Sequence, residues 1–194
     1  MQHLYASLRR ATVAGLVVAV AGLGATSAWA QQKVQLATSL GEIVIELDAA
    51  KAPKTVDNFV KYVKAGHYDG TVFHRVIADF MVQGGGMNAQ LKEKTTRAPI
   101  PLESGNGLSN VRGAVSMART GVPDSATAQF FINVVDNLRL DGSQPGSNGY
   151  AVFGKVVSGM DVVDKIRGVS VADNGPYQNV PVNPVTITKA SLLP

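Results

Sequence analysis

The residues with the most chemical potential in this sequence lie close together, in Phe73-His74-Arg75-Val76-Ile77-Ala78-Asp79-Phe80-Met81-Val82-Gln83-Gly84-Gly85-Gly86. Arg75 is a permanent cation among strand-forming apolar residues. A guanidinium so placed needs a partner or a task, because it cannot shed its charge. Read with the two-residue period of a strand, Arg75 shares a face with Phe73 and Ile77. Phe80 and Met81 offer a soft apolar surface, and Gln83 adds an amide on the parity of Met81. Three glycines then permit tight backbone and leave room for a close ligand. A fixed donor, an apolar patch and an amide within ten residues suit recognition through hydrogen bonds and burial. The plain alternative is a hairpin whose arginine lays its stem along the sheet.

Covalent and metal chemistry find little equipment. The chain has no cysteine and three histidines. One of them, His3, falls in an N-terminal stretch that reads as a leader: Arg9-Arg10, an uncharged run Ala11–Ala28 rich in Ala, Val, Leu and Gly, then the small-x-small site Ala28-Trp29-Ala30. Residues 1–30 are therefore expected to be a cleaved secretory signal, and residues 31–194 a single domain. An uncleaved anchor is the alternative, but the run is barely long enough to span a bilayer. Ala11-Thr12-Val13 lacks the bulky apolar residues of a twin-arginine signal, so general secretion is the expected route. With only His67 and His74 left, a zinc site would have to rely on carboxylates, and neither metal nor cofactor is expected. Of 18 basic and 14 acidic residues, the leader removes Arg9 and Arg10, leaving a net charge of +2. No Lys/Arg stripe follows, so nucleic acid is a poor partner. An exported domain without disulfides must rest on its core, and 45% hydrophobic content over this length supplies one.

The elements that must position Arg75 and its neighbours are mostly short strands. Val34, Leu36 and Thr38 alternate, Ser39-Leu40-Gly41 turns, and Ile43, Ile45 and Leu47 alternate again, which predicts a hairpin. Pro53 opens a helix with Val56, Phe59, Val60 and Val63 on one side and Lys54, Asp57, Lys61 and Lys64 on the other, stopped by Gly66. Strands are expected at 71–77, 81–84, 114–118, 129–135, 150–157 and near Val185–Leu192, with a second helix around Met160, Val163 and Ile166. Alternation over 129–135 puts Phe130, Ile132 and Val134 on one face and Gln129, Phe131 and Asn133 on the other. Residues 87–113 and 141–149 read as loops. Strands joined by turns rather than helices argue against a doubly wound sheet and for a mainly β barrel or sandwich with two helices.

In this order the segments resemble the cyclophilin-type peptidyl-prolyl isomerases. The resemblance rests on Phe73–Gly85 and on Ala52-Pro53-Lys54-Thr55-Val56-Asp57-Asn58-Phe59, Ser116-Met117-Ala118, Ser125–Ile132 and Val152-Phe153-Gly154-Lys155-Val156. Five ordered segments over residues 33–193 are far more specific than any one of them. The leader, the short 87–113 segment and Gly175-Pro176-Tyr177-Gln178-Asn179-Val180-Pro181 are most similar to periplasmic members from Gram-negative bacteria. The resemblance implies an eight-stranded closed antiparallel β-barrel capped by two α-helices, with the substrate groove on its outer face. It implies rotation about X–Pro peptide bonds, without cofactor, on proline-containing peptides and on folding envelope proteins. It implies a soluble periplasmic monomer, with no stable membrane association after leader removal.

By the same resemblance Arg75 is the catalytic donor. Phe80, Met81, Phe131 and Leu140 form the proline pocket, while Gln83 and the backbone of Arg119 hold peptide carbonyls. Ala118 and Thr120 line a neighbouring subsite, and Gln129 and Tyr150 complete the groove. Two positions depart from the family pattern: Arg139 stands where an aromatic is common, and Tyr150 where histidine is common. Arg139 removes an apolar wall, so weak cyclosporin binding is expected. Tyr150 keeps a ring with a polar tip. His74 reads as a structural hydrogen-bonding residue. Two other classes remain open at this point: a peptide-binding chaperone on the same fold, and an unrelated sugar-binding barrel.

Overall fold

The computed structural model describes residues 32–142 and 148–194. The leader expected at 1–30 and the centre of the 141–149 loop lie outside them. Ten strands and two helices follow in chain order: β1 Lys33–Thr38, β2 Gly41–Leu47, α1 Pro53–Lys64, β3 Thr71–Ile77, β4 Met81–Asn88, β5 Ala114–Met117, β6 Phe130–Asn133, β7 Val152–Ser158, α2 Met160–Arg167, β8 Val171–Asn174, β9 Tyr177–Pro181 and β10 Thr186–Leu193. Eight strands close a barrel in the order β1-β10-β3-β4-β6-β5-β7-β2, with antiparallel pairings. Closure satisfies both edges of every strand, so the barrel presents no unpaired ladder. The mainly β reading and its two helices are thus what the chain builds.

The interior is filled, not hollow. Val34, Leu36, Ile43, Ile45, Val76, Val82, Val115, Ile132 and Ile187 point inward from seven strands and are almost wholly buried. Helix α1 buries Val56, Phe59, Val60 and Val63 in the same core. The Phe59 ring sits 5.0 Å from Tyr68, 5.0 Å from Phe153 and 5.6 Å edge-on to Phe130, arrangements that favour aromatic pairs. Helix α2 adds Val162, Val163 and Ile166. Each buried side chain of this size contributes about 1.5–3 kcal/mol, which is how a fold without disulfides is sustained.

The long segment between β4 and β5 is tied down by polar contacts rather than by regular structure. Ala52 offers α1 no side-chain cap. Glu103 reaches across instead: its carboxylate accepts from the backbone N–H groups of Lys54 at 3.2 Å and Thr55 at 2.8 Å, and from the Thr55 hydroxyl at 2.7 Å. A negative group there satisfies open helix donors and matches the helix dipole.

One element had no counterpart in the sequence reading. Strands β8 and β9 form a separate two-stranded hairpin, with β9 packed against β3. All four residues of β8 are exposed, so no apolar alternation marks it. The turn between them uses Gly175 at φ 58°, a left-handed position that suits glycine.

Candidate active site

The site begins with an irregularity in β3. Phe73 pairs with Gly84 and Arg75 with Gln83. Two steps along β3 thus answer one along β4, and His74 is the extra residue of a bulge. The bulge reverses the parity. Phe73 turns into the core with no exposure, whereas Arg75 is half-exposed on the outside. The expectation that Arg75 and Phe73 share a face is therefore wrong. A period-two reading cannot survive an inserted residue, and the insertion is what lifts the guanidinium out of the barrel.

Directly opposed residues on neighbouring strands share a face. The register sets Arg75 beside Gln83, Gln83 beside Phe131 and Phe131 beside Ser116, a row across four strands on the outer surface. The next row sets Ile77 beside Met81 and Met81 beside Asn133. Met81 and Phe131 are only 2% and 4% exposed, yet neither belongs to the inner core cluster. They form an apolar floor on the outside of the barrel. The face expected for Gln129, Phe131 and Asn133 is the one they occupy.

Polar contacts fix the row. Gln83 Nε2 donates to Gln129 Oε1 at 2.9 Å, and Arg75 Nη1 donates to Gln83 Oε1 at 3.4 Å. The two contacts fix which way the Gln83 amide points. The second is long for a hydrogen bond, so it orients the guanidinium while leaving it most of its donor capacity. The glycines serve this arrangement rather than a ligand. A Cβ on Gly86 would lie 2.4 Å from Gln129 Cγ, and one on Gly85 would meet Tyr68 and Phe130 at 2.8–2.9 Å. The space expected for a ligand is filled by the protein's own side chains.

The remaining candidates surround the floor. Phe80 is half-buried, with the Arg139 guanidinium 5.0 Å from its ring centroid, a cation–π distance. Tyr150 meets Phe131 edge-on at 5.6 Å and carries the Arg119 guanidinium at 4.7 Å. Arg119 also donates from Nε to Gly149 O and from Nη1 to Thr120 O, both at 2.9 Å. Ala118 N donates to Gln129 O at 3.0 Å, which joins it to the row. Leu140 lies half-buried on a short 3-10 turn, Leu138–Leu140. Thr120 is more distant in its bonding: it is exposed, and its hydroxyl and N–H pair with Ser125 Oγ at 2.8 and 3.0 Å.

Sequence reasoning missed the polar network under this rim. Asn137 Nδ2 donates to Phe80 O and to Asn133 Oδ1, each at 2.8 Å. Asn133 Nδ2 donates to Ala114 O at 3.1 Å, and the Ser116 hydroxyl donates to Asn110 Oδ1 at 2.7 Å. Asp141 Oδ1 accepts from Asn110 N at 2.7 Å and Nδ2 at 2.9 Å. All five side chains are at most 5% exposed. Together they pin the turn carrying Arg139 and Leu140 to Phe80, just ahead of β4, and to β5 and β6. A buried, satisfied network of this kind specifies one geometry. Its one visible trace was Asn133, a polar residue on the parity of Phe131.

Neither histidine is placed as an acid or base at neutral pH. Burial lowers the His74 pKa to about 4, and the Arg75 charge adds to this. Polar contacts with the Val72 backbone and Gln129 offset only part of it. His67 is also lowered, by burial first and by the Lys94 charge, against its contact with Gly85 O at 3.1 Å. The row thus combines an oriented permanent cation, two amides and an apolar floor. It can bury a small apolar ring and hold a hydrogen-bond donor over it. A cavity of about 380 Å³ further round the barrel, by β2, β5 and β7, carries two ion pairs, Lys155 with Glu46 at 3.0 Å and Arg112 with Asp164 at 2.7 Å, and an Asp48 carboxylate that accepts from Lys51 N at 3.0 Å.

Comparison with known proteins places this geometry. The family model described as "Cyclophilin type peptidyl-prolyl cis-trans isomerase/CLD" matches residues 33–192. A peptidyl-prolyl cis-trans isomerase of Streptomyces antibioticus is 56% identical over 162 residues, covering 82% of this chain and 98% of its own. Peptidyl-prolyl cis-trans isomerase A of Dickeya dadantii is 56% identical over 160 residues, covering 82% and 84%. Peptidyl-prolyl cis-trans isomerase B of Escherichia coli is 52% identical over 157 residues, covering 80% and 96%. Among solved structures, a Cryptosporidium parvum cyclophilin-type isomerase superposes with a TM-score of 0.70 at 25% identity, covering 84% of this chain and 98% of its own. A second structure of that protein, in the presence of the dipeptide Ala-Pro, gives the same TM-score.

Proposed function

The chain belongs to the cyclophilin-type peptidyl-prolyl cis-trans isomerases, and on that premise we propose that Arg75 drives X–Pro rotation on an exported protein's chain while the surrounding row holds the substrate. The activity itself is the family's: isomerisation of the bond before proline. That bond resists rotation because resonance gives C–N partial double-bond character, with a barrier of about 18–20 kcal/mol. No covalent bond breaks, so neither nucleophile nor redox group is required.

The role of each residue follows from the twisted state. As the bond rotates, the prolyl nitrogen loses conjugation and gains a localised lone pair. A donor aimed at that nitrogen stabilises the twisted state more than either planar state, and this difference is what accelerates the reaction. Arg75 suits this because its charge is permanent and its fork rigid. Phe80, Met81, Phe131 and Leu140 take the proline ring. Gln83, Gln129 and the Arg119 backbone hold peptide polar groups, with Ala118, Thr120 and Tyr150 along the groove. The observation that carries this reading is the outer row: Arg75 half-exposed, oriented by Gln83, two strands from the buried Phe131.

Substrates are proline-containing segments of folding envelope proteins, and the mature domain works as a soluble periplasmic monomer. The leader pattern at 1–30 supports this. Exchange spectroscopy on an Ala-Pro peptide tests the enzyme reading. Faster cis/trans exchange is expected, whereas a peptide-binding chaperone would broaden peaks without speeding exchange.

A further inference from the structure

Beside Arg75, the β8–β9 hairpin packs along β3 and borders a solvent-open cavity of about 350 Å³. One wall is the row already described, with Arg75, Gln83 and Gln129. The other is the hairpin, with Pro176, Tyr177 and Gln178. We propose that this cavity is a second subsite, selecting a long substrate side chain that ends in a hydrogen-bond acceptor, glutamine or glutamate, two or three residues from the proline. The inference rests on the reading of the Arg75 row as the proline site.

Position gives the reach. Neighbouring strands lie about 4.8 Å apart, so the step from Phe131 on β6 across β4 to Arg75 on β3 is about 10 Å, roughly three residues of extended chain. A peptide with its proline on the Met81–Phe131 floor therefore enters the cavity within that distance.

Chemistry gives the preference. Tyr177 brings a hydroxyl and Gln178 an amide, while Arg75 is a cation, and no carboxylate lines the cavity. Among the described residues no ion pair engages Arg75. These donors meet an acceptor-ended side chain, and Met87 and Pro176 offer apolar surface for its methylenes. His74 borders the same place. It lines the cavity at 6% exposure, and its Nδ1 is buried without a hydrogen-bond partner, so a small shift of the ring on binding would be needed to pair it. The hairpin is independent of the barrel ladder, so its residues can vary without disturbing the catalytic row.

The test uses the domain as it exists and an alanine-rich peptide with one proline. Gln, Glu or Leu is placed second or third on either side of the proline. Affinity is read by NMR titration, and turnover by exchange spectroscopy. At one or more of these positions Gln and Glu are expected to bind about five- to tenfold tighter than Leu, the worth of one net hydrogen bond. Tyr177→Phe with Gln178→Ala should bring that ratio within twofold. Gln178→Ala alone, at an exposed position, covers the case of a hairpin that fails to form. Equal affinities at all positions in the unaltered protein, or an unchanged ratio in the variants, would overturn the subsite. Arg75→Ala turning over normally would instead overturn the catalytic reading, and the binding ratio would still be measurable.

Discussion

Gly86→Ala is the substitution through which the structure makes its least obvious demand. Gly86 is not among the glycines with positive φ, so its backbone accepts alanine, and only packing opposes the change. The new Cβ would lie 2.4 Å from Gln129 Cγ and 2.7 Å from its Cδ and Nε2. Contacts this short force the Gln129 side chain out of its place. The strand backbones cannot yield cheaply, and overpacking of this kind costs about 1–3 kcal/mol. Moving Gln129 also breaks the 2.9 Å bond from Gln83 Nε2, which frees the amide that orients Arg75. Losing one such bond is worth about 1 kcal/mol, so the exchange rate constant per bound peptide should fall roughly five- to tenfold. Stability by urea unfolding should fall by about 1–3 kcal/mol. The decisive comparison is a double-mutant cycle with Gln129→Ala, which empties the space the methyl needs. The double variant should be little worse than Gln129→Ala alone, a clear departure from additivity. Additive effects, or full activity in Gly86→Ala, would refute the idea that Gly86 exists to seat Gln129.

Three further expectations follow from separate features. The lowered pKa of His74, about 4 against an ordinary 6.5, means the unfolded chain binds the extra proton first. Stability should be full above pH 6.5 and fall by up to about 3 kcal/mol as pH drops toward 4, and His74→Phe should flatten that fall in denaturant titrations even though His67 contributes in the same direction. Cyclosporin inhibition should be weak and strengthened by Arg139→Trp, since the guanidinium now stacked on Phe80 would give way to apolar contact worth about 1–3 kcal/mol; tight inhibition of the unaltered protein would contradict this. Intact-mass analysis of exported protein should give an N-terminus at Gln31, following Ala28-Trp29-Ala30, and retention of residues 1–30 would remove the soluble periplasmic reading.

Much of the fold was legible because it obeys period. The alternation of Ile43, Ile45 and Leu47 and of Phe130, Ile132 and Val134 predicted which side chains fill the barrel, and all six do. The spacing of Val56, Phe59, Val60 and Val63 predicted α1. What escaped breaks period or has no apolar face. The bulge at His74 reversed the side of Phe73 relative to Arg75, and nothing in the local sequence announces an inserted residue. In the β8–β9 hairpin all of β8 is exposed and only Val180 and Pro181 of β9 are buried, so it carries no apolar alternation. The Asn110–Asn133–Asn137–Asp141 network is built from residues that elsewhere mark turns. Only their distant pairing turns them into supports for Phe80 and Leu140.

The most direct test is Arg75→Ala, read by two measurements on the folded variant: cis/trans exchange by NMR and proline-peptide affinity by titration. The lone pair on the prolyl nitrogen is an acceptor mainly in the twisted state, so exchange should slow by about two orders of magnitude or more while affinity falls far less. A hundredfold is about 2.7 kcal/mol, within the range for a charge-assisted hydrogen bond. Arg75→Lys should recover only part of the rate, because an ammonium lacks the planar fork, and Phe131→Ala should weaken binding by opening the ring pocket. Exchange at near the parent rate in Arg75→Ala would contradict the donor assignment and leave burial of the proline ring to carry the catalysis.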